Sequence, residues 1–179
     1  MFEFIKNIRR RKILRTLKAL PRQKRIENIQ NIKTIGIICR FDNEQNWNIL
    51  NHFATVMENQ DKKVSIIGLH EQTPRFVVSR QGTTVCRAKK DLNFWGIPSW
   101  GSIKGFVSEK YDLLIDTVGT GNFFAQYVAL RTTADLKVVY ANPTENPTET
   151  YDLIIRGDGQ MELKCFFNNV IEYLGMINK

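Results

Sequence analysis

Nowhere in this chain do about 20 apolar residues follow one another, the length that a membrane-crossing helix needs, so no span is expected. Nor is there the apolar core of a secretion signal, because Arg9-Arg10-Arg11-Lys12 runs into Ile13-Leu14 and charge returns at Arg15. Cysteine is sparse: Cys39, Cys86 and Cys165 form an odd, scattered set with no C-x-x-C pair. That excludes a disulfide framework and fits reduced thiols in a cytoplasmic protein. The two histidines, His52 and His70, stand apart and make no zinc spacing with these cysteines, so neither a metal nor a cofactor is expected. Acids are nearly missing from the first 33 positions. Glu3 and Glu27 face 11 Lys or Arg there, whereas the remaining 146 residues hold 15 cations against 16 acids. The net charge of +8 therefore sits entirely in the leader.

At 179 residues and 42% hydrophobic, the chain suffices for one sizeable core, and one domain with an appendage is expected: a basic helical arm over 1–32 and an α/β domain over 33–179. The body is organised around Tyr111-Asp112-Leu113-Leu114-Ile115-Asp116, an apolar run of strand length that enters the glycine-containing turn Thr117–Gly121. A helix over 122–132 follows. Such a strand reads as buried on both faces of a parallel sheet. An echo stands at Tyr151-Asp152-Leu153-Ile154-Ile155-Arg156, and further strands are predicted at 33–41, 64–69 and 136–141. Between the first two, Trp47, Leu50, Phe53, Ala54 and Met57 recur at helical spacing behind a cap at Asp42 or Asn43, which closes a β-α-β unit with parallel strands. A last helix carries Leu163, Phe167, Val170 and Leu174 on one side. The expected fold is a Rossmann-like or flavodoxin-like three-layer α/β sandwich of about five mostly parallel strands.

Residues 70–110 are harder to read. Phe76-Val77-Val78 and Thr84-Val85-Cys86 flank Arg80-Gln81-Gly82, which suggests a small hairpin, and a short helix is predicted over 102–108. The segment Asp91-Leu92-Asn93-Phe94-Trp95-Gly96-Ile97-Pro98-Ser99-Trp100 has three large rings whose burial over the sheet edge is expected.

Ligands of open α/β sheets sit beyond the carboxyl ends of the strands. Three polar clusters fall there: Arg40 with Asp42; Asp116 and Thr117 with Gly119 and Gly121; Arg156 with Asp158. The helix start near Asn122 offers free N–H groups to a phosphate or carboxylate, with Arg40 or Arg156 as counter-charge. The competing reading is that the glycines make the turn and the aspartates cap helices; Gly119-Thr120-Gly121 matches neither phosphate-loop pattern. No catalytic residue is singled out: His70 beside Glu71 suggests an acid-base pair and Cys39 beside Arg40 a lowered thiol pKa, against loop chance and a small buried hydrophobe.

The leader carries the strongest functional signal. Residues 1–20 contain neither Gly nor Pro and read as a helix ended by Pro21, with Ile13, Leu17 and Leu20 on one side. Arg9, Arg10, Arg11, Lys12, Arg15, Lys18, Arg22, Lys24 and Arg25 would draw it to RNA, the ribosome or another polyanion. Phe2, Phe4, Ile5 and Ile8 beside those cations also describe an anchor on an anionic membrane surface, and packing on the body or a protein partner is the third option. The chain is expected to be a non-enzymatic binding protein, with a small-molecule or phosphate site in the strand-end crevice as the alternative.

The basic leader, the Asp91–Pro98 loop, Tyr111–Asp116 and the late Asp152-Leu153-Ile154-Ile155 strand together resemble an uncharacterised family of small Bacteroidota α/β proteins. That likeness covers nearly the whole chain and implies no activity. The segment from Tyr111 to Ala141 also resembles the amino-terminal half of heptosyltransferase-type glycosyltransferases. The chain has no room for their second, sugar-nucleotide-binding domain, which argues against glycosyl transfer.

Overall fold

In a computed structural model of the chain, which describes residues 2–17, 21–71, 76, 78–141, 149–157 and 162–177, helix α1 (Phe2–Thr16) precedes six alternating strands and further helices. These are β1 (Thr34–Arg40), α2 (Glu44–Glu58), β2 (Lys63–His70), β3 (Thr83–Arg87), α3 (Ala88–Asp91), α4 (Trp100–Val107), β4 (Lys110–Asp116), α5 (Phe123–Arg131), β5 (Thr133–Ala141), β6 (Leu153–Arg156) and α6 (Leu163–Gly175). All strands pair in parallel in the order β3-β2-β1-β4-β5-β6. This is the Rossmann order and not that of flavodoxin.

The sixth strand is the one that the pattern hid. Thr83–Arg87 pairs with β2 from Ile66↔Thr83 to His70↔Arg87, so a parallel edge strand replaces the hairpin expected across Arg80-Gln81-Gly82. An edge strand is covered less than a central one, and its two threonines blur the apolar run that marks the others.

Central strands alternate large apolar side chains to both faces. Ile35, Ile37, Ile66, Leu113, Ile115 and Val138 meet Trp47, Leu50 and Phe53 of α2 and Phe166, Phe167 and Val170 of α6. On the other face Ile38, Ile67, Leu114 and Val139 meet Ile103 and Phe106 of α4 and Phe124 and Val128 of α5. Burying each such side chain stabilises by about 1.5–3 kcal/mol. Asn43 starts α2 as expected, its Oδ1 accepting from the Asn46 N–H at 2.7 Å.

The repeated Tyr-Asp pair has a structural cause. Asp112 Oδ2 accepts from the N–H groups of Lys33 and Thr34, both at 2.8 Å, tying β4 to the start of β1. Asp152 Oδ2 likewise accepts from Lys137 N–H at 2.9 Å and ties the entry of β6 to β5.

Residues 21–32 run along the body. The Arg25 N–H donates to Asp135 O, Lys62 Nζ donates to the carbonyls of Ile29 and Ile32 at 2.9 Å, and both isoleucines are buried in the core. The boundary at residue 32 thus marks a change of charge, not a break in packing. Helix α1 lies on the outside, placing Ile13 and Leu14 against the α4/α5 layer together with Leu17.

Candidate functional site

The predicted clusters at the carboxyl ends of the strands are separated by the sheet. Arg40, Asp42 and Thr117 line a crevice of about 350 Å³ beside β1 and β4, where the strand order reverses, together with Asn46, Trp47, Tyr140 and Glu162. Arg156 is exposed at the end of β6, three strands from β1, or roughly 14 Å at about 4.8 Å per strand. It does not stand beside Arg40. Asp158 lies outside the described residues.

Inside the crevice the cation is already matched. Arg40 Nε lies 3.1 Å from Asp42 Oδ2, and Arg40 Nη2 lies 3.1 Å from Glu71 Oε1. Glu71 therefore belongs to Arg40 and not to His70; adjacent residues at a strand end point to opposite faces. His70 is buried between Phe41 and Phe76, and neither ring nitrogen has a hydrogen-bond partner among the described residues. Nor is Cys39 an activated thiol. Burial, and after it the carboxylates of Asp116 and Asp42, push its pKa far above the ordinary value.

Asp116 is fully buried and holds the turn: its Oδ1 accepts from the N–H of Val118 at 2.8 Å and of Gly119 at 3.3 Å, and its Oδ2 accepts from the Tyr151 hydroxyl. Burial first and Asp116 second hold that phenol well above its usual pKa. Thr117 donates its hydroxyl to Ile38 O at 3.0 Å, and Gly119 takes a φ of 101°, a conformation natural to glycine. Asn122 caps α5, its Oδ1 accepting from Ala125 N–H at 3.0 Å. The turn is thus held largely by its own polar groups, and of the predicted residues Asp116, Thr117, Gly119 and Gly121, Gly121 alone lines a second cleft, between α1 and α5, beside Thr120 and Asn122.

The leader's cations divide into two sets. Arg22 is buried, its Nη2 2.7 Å from Asp152 Oδ2 and its Nη1 3.0 Å from Ala134 O; Lys24 reaches Asp152 Oδ1 at 3.0 Å, and Arg25 pairs with Glu27. Arg22 and Lys24 tie the leader to the body, and Arg25 is matched locally. Lys18 lies outside the described residues. On α1, by contrast, Arg9, Arg10, Arg11, Lys12 and Arg15 have no carboxylate partner among the described residues.

A loop unforeseen as a binding partner seats this helix. Asn93 Oδ1 accepts from the N–H groups of Trp95 and Ile97, a bridge joins Leu92 to Pro98, and Ser99 N–H donates to Asp91 O at 2.7 Å. Closed on itself, the loop does not need its rings buried, and the expectation that all three would be fails: Phe94 and Trp100 are exposed. Trp95 O accepts from Arg10 Nε at 2.9 Å, Arg9 covers the Trp95 ring at 4.4 Å, and Lys6 lies 5.9 Å from the Phe94 centroid. Gly96 leaves the room, since a Cβ there would stand 2.6 Å from Arg10 Nη2.

Phe4 (70% exposed), Ile5 (50%) and Ile8 (52%) on α1 and Phe94 (66%) on the loop it touches are exposed apolar side chains close in sequence or space to these cations. Among the described residues no helix is long and apolar enough to cross a membrane.

A search of curated proteins and a search of solved structures each return no match, so neither returns a glycosyltransferase. One family model, described as a family of unknown function (DUF6913), spans residues 6–177, leader and sheet together, and the chain belongs to that family.

Proposed function

We propose that this is a cytoplasmic, non-enzymatic binding protein that meets an anionic membrane surface through α1. The observation that carries the reading is the joint exposure of Phe4, Ile5, Ile8 and Phe94 next to five cations without carboxylate partners among the described residues. Charge alone suits RNA as well as it suits a bilayer. The apolar side chains favour the bilayer. An RNA-binding helix contacts phosphates with cations and stacks aromatic rings on bases, which gives Ile5 and Ile8 no role. A bilayer interface takes both, at about 1 kcal/mol per cation plus the apolar area removed from water. A small-molecule site in the β1/β4 crevice is the weaker rival, because Arg40 there is neutralised by Asp42 and Glu71.

Vesicle co-sedimentation tests this. The full chain should pellet with phosphatidylglycerol-rich vesicles and not with phosphatidylcholine alone, and Ile5→Asp with Ile8→Asp should lower the bound fraction about tenfold or more. Retention of RNA in a gel shift without any vesicle binding would replace the membrane with RNA as α1's partner.

A further inference from the structure

The inner side of α1 borders a cavity that the apolar residues of the membrane reading do not line. This cavity of about 780 Å³ opens between α1 and the β4–α5 turn, lined by Arg10, Arg11 and Arg15 on one side and by Gly121, Asn122 and Gln126 on the other. Among the described residues no Asp or Glu lines it. Its volume is that of an ordinary small-ligand site.

The charge in it comes from α1 and not from the start of α5. Three of the donors there are already engaged: Asn122 N–H with Gly119 O, Ala125 N–H with Asn122 Oδ1, and Gln126 Nε2 with Thr120 O. Arg10 is held in place without being neutralised, since its Nε donates to a carbonyl and its guanidinium lies 5.2 Å over the Phe123 ring. Arg11 and Arg15 are four residues apart, one helical turn, where like charges repel and cost the helix a few tenths of a kcal/mol. An anion between them reverses the sign of that interaction. Guanidinium forks match two phosphate oxygens at once, and three of them favour more than one negative charge.

We infer that the α1–α5 cleft binds a phosphate group carrying two or more negative charges, as a diphosphate or a phosphomonoester, held by Arg10, Arg11 and Arg15. Arg10, Arg11 and Arg15 are also among the five cations of the membrane reading, but Phe4, Ile5, Ile8 and Phe94 belong to that reading alone and do not line the cleft. Titration calorimetry of the full chain with pyrophosphate at about 0.15 M salt, where the Debye length is about 8 Å, tests it. The wild-type protein should bind; Arg11→Gln and Arg15→Gln should each weaken binding about tenfold, and Arg11→Lys less than Arg11→Gln, because charge survives but the fork does not. Lys12→Gln removes the same charge from the same helix without lining the cleft and should stay within about twofold. Circular dichroism melts identify any variant that has lost its fold, and Lys12→Gln against Arg15→Gln then decides on folded protein. Glycerol 3-phosphate and a nucleoside diphosphate, titrated in parallel, tell a lipid-type headgroup from a nucleotide, and tight binding of either supports the site. Absence of pyrophosphate binding to the wild type, or a Lys12→Gln loss equal to that of Arg11→Gln, overturns it. Vesicle binding can fail while pyrophosphate still binds, so the two readings fail separately.

Discussion

Two charged residues meet where the entry of β6 lies against the middle of β5, and they pull stability in opposite directions with pH. Burial alone would raise the Asp152 carboxyl, but hydrogen bonds from Lys24, Arg22 and the Lys137 N–H outweigh it and hold its pKa below the ordinary value. A carboxyl depressed in the folded state stabilises above its unfolded pKa of about 3.9, and that contribution is lost as pH falls through the folded value. Asp152→Asn should therefore destabilise by about 3 kcal/mol at neutral pH, leaving Arg22 buried without its anion, and the gap to wild type should narrow below about pH 4. Urea melts at both pH values check this. Lys137 is almost fully buried with Nζ donating to Ala129 O; burial, followed by repulsion from Arg22, brings its pKa down to about 8. Between there and the unfolded value of about 10.4 the unfolded chain binds the extra proton, so this lysine's penalty is relieved as pH rises. Lys137→Met should be more stable than wild type near pH 7, with the difference shrinking by about 3 kcal/mol toward pH 10.5. A constant difference across that range would show that the amine titrates normally.

Elements were legible where burial left a mark on composition. β1, β2, β4 and β5 are covered on both faces and read as continuous apolar runs, and α2 and α6 show one apolar stripe each. β3 was not legible, because an edge strand with two threonines resembles a loop. The seat of α1 was beyond any local pattern: Arg10 and Trp95 are 85 residues apart, and the contact rests on a carbonyl and a glycine, neither of which advertises a partner. The cations were found from charge counting, yet their division was not, since an arginine facing Asp152 looks in sequence like one facing water. Gly96→Ala tests the seat directly. With φ at 81° and a Cβ placed 2.6 Å from Arg10 Nη2, alanine both strains the loop and displaces the guanidinium. Trypsin should then cut after Arg9, Arg10, Arg11 and Lys12 several-fold faster while the global melt moves little. Unchanged cleavage would mean that α1 is held by Ile13, Leu14 and Leu17 alone.

At the scale of the molecule, the leader is two things joined end to end. Residues 21–32 belong to the body, threaded through Arg22, Lys62 and the buried Ile29 and Ile32, whereas α1 touches the body through one half-buried stripe and the Asp91–Ser99 loop. Local opening is governed by how much apolar area and how many buried hydrogen bonds an element must give up. The centre of the sheet gives up the most: β1 and β4 are paired on both sides and covered by helices on both faces. Helix α1 gives up little, which suits the external partner proposed for it. Hydrogen exchange should consequently show residues 2–16 exchanging orders of magnitude faster than β1 and β4, with 25–33 closer to the sheet than to α1. Phosphatidylglycerol-rich vesicles should slow exchange in 2–16 and leave β1, β4 and α6 unchanged, because α1 can stay on the bilayer while the body unfolds and binding that survives unfolding adds no protection to the core. Protection spread evenly over the chain would instead mark a partner that grips the body, and residues 2–16 as slow as β4 in the free protein would make α1 a structural helix.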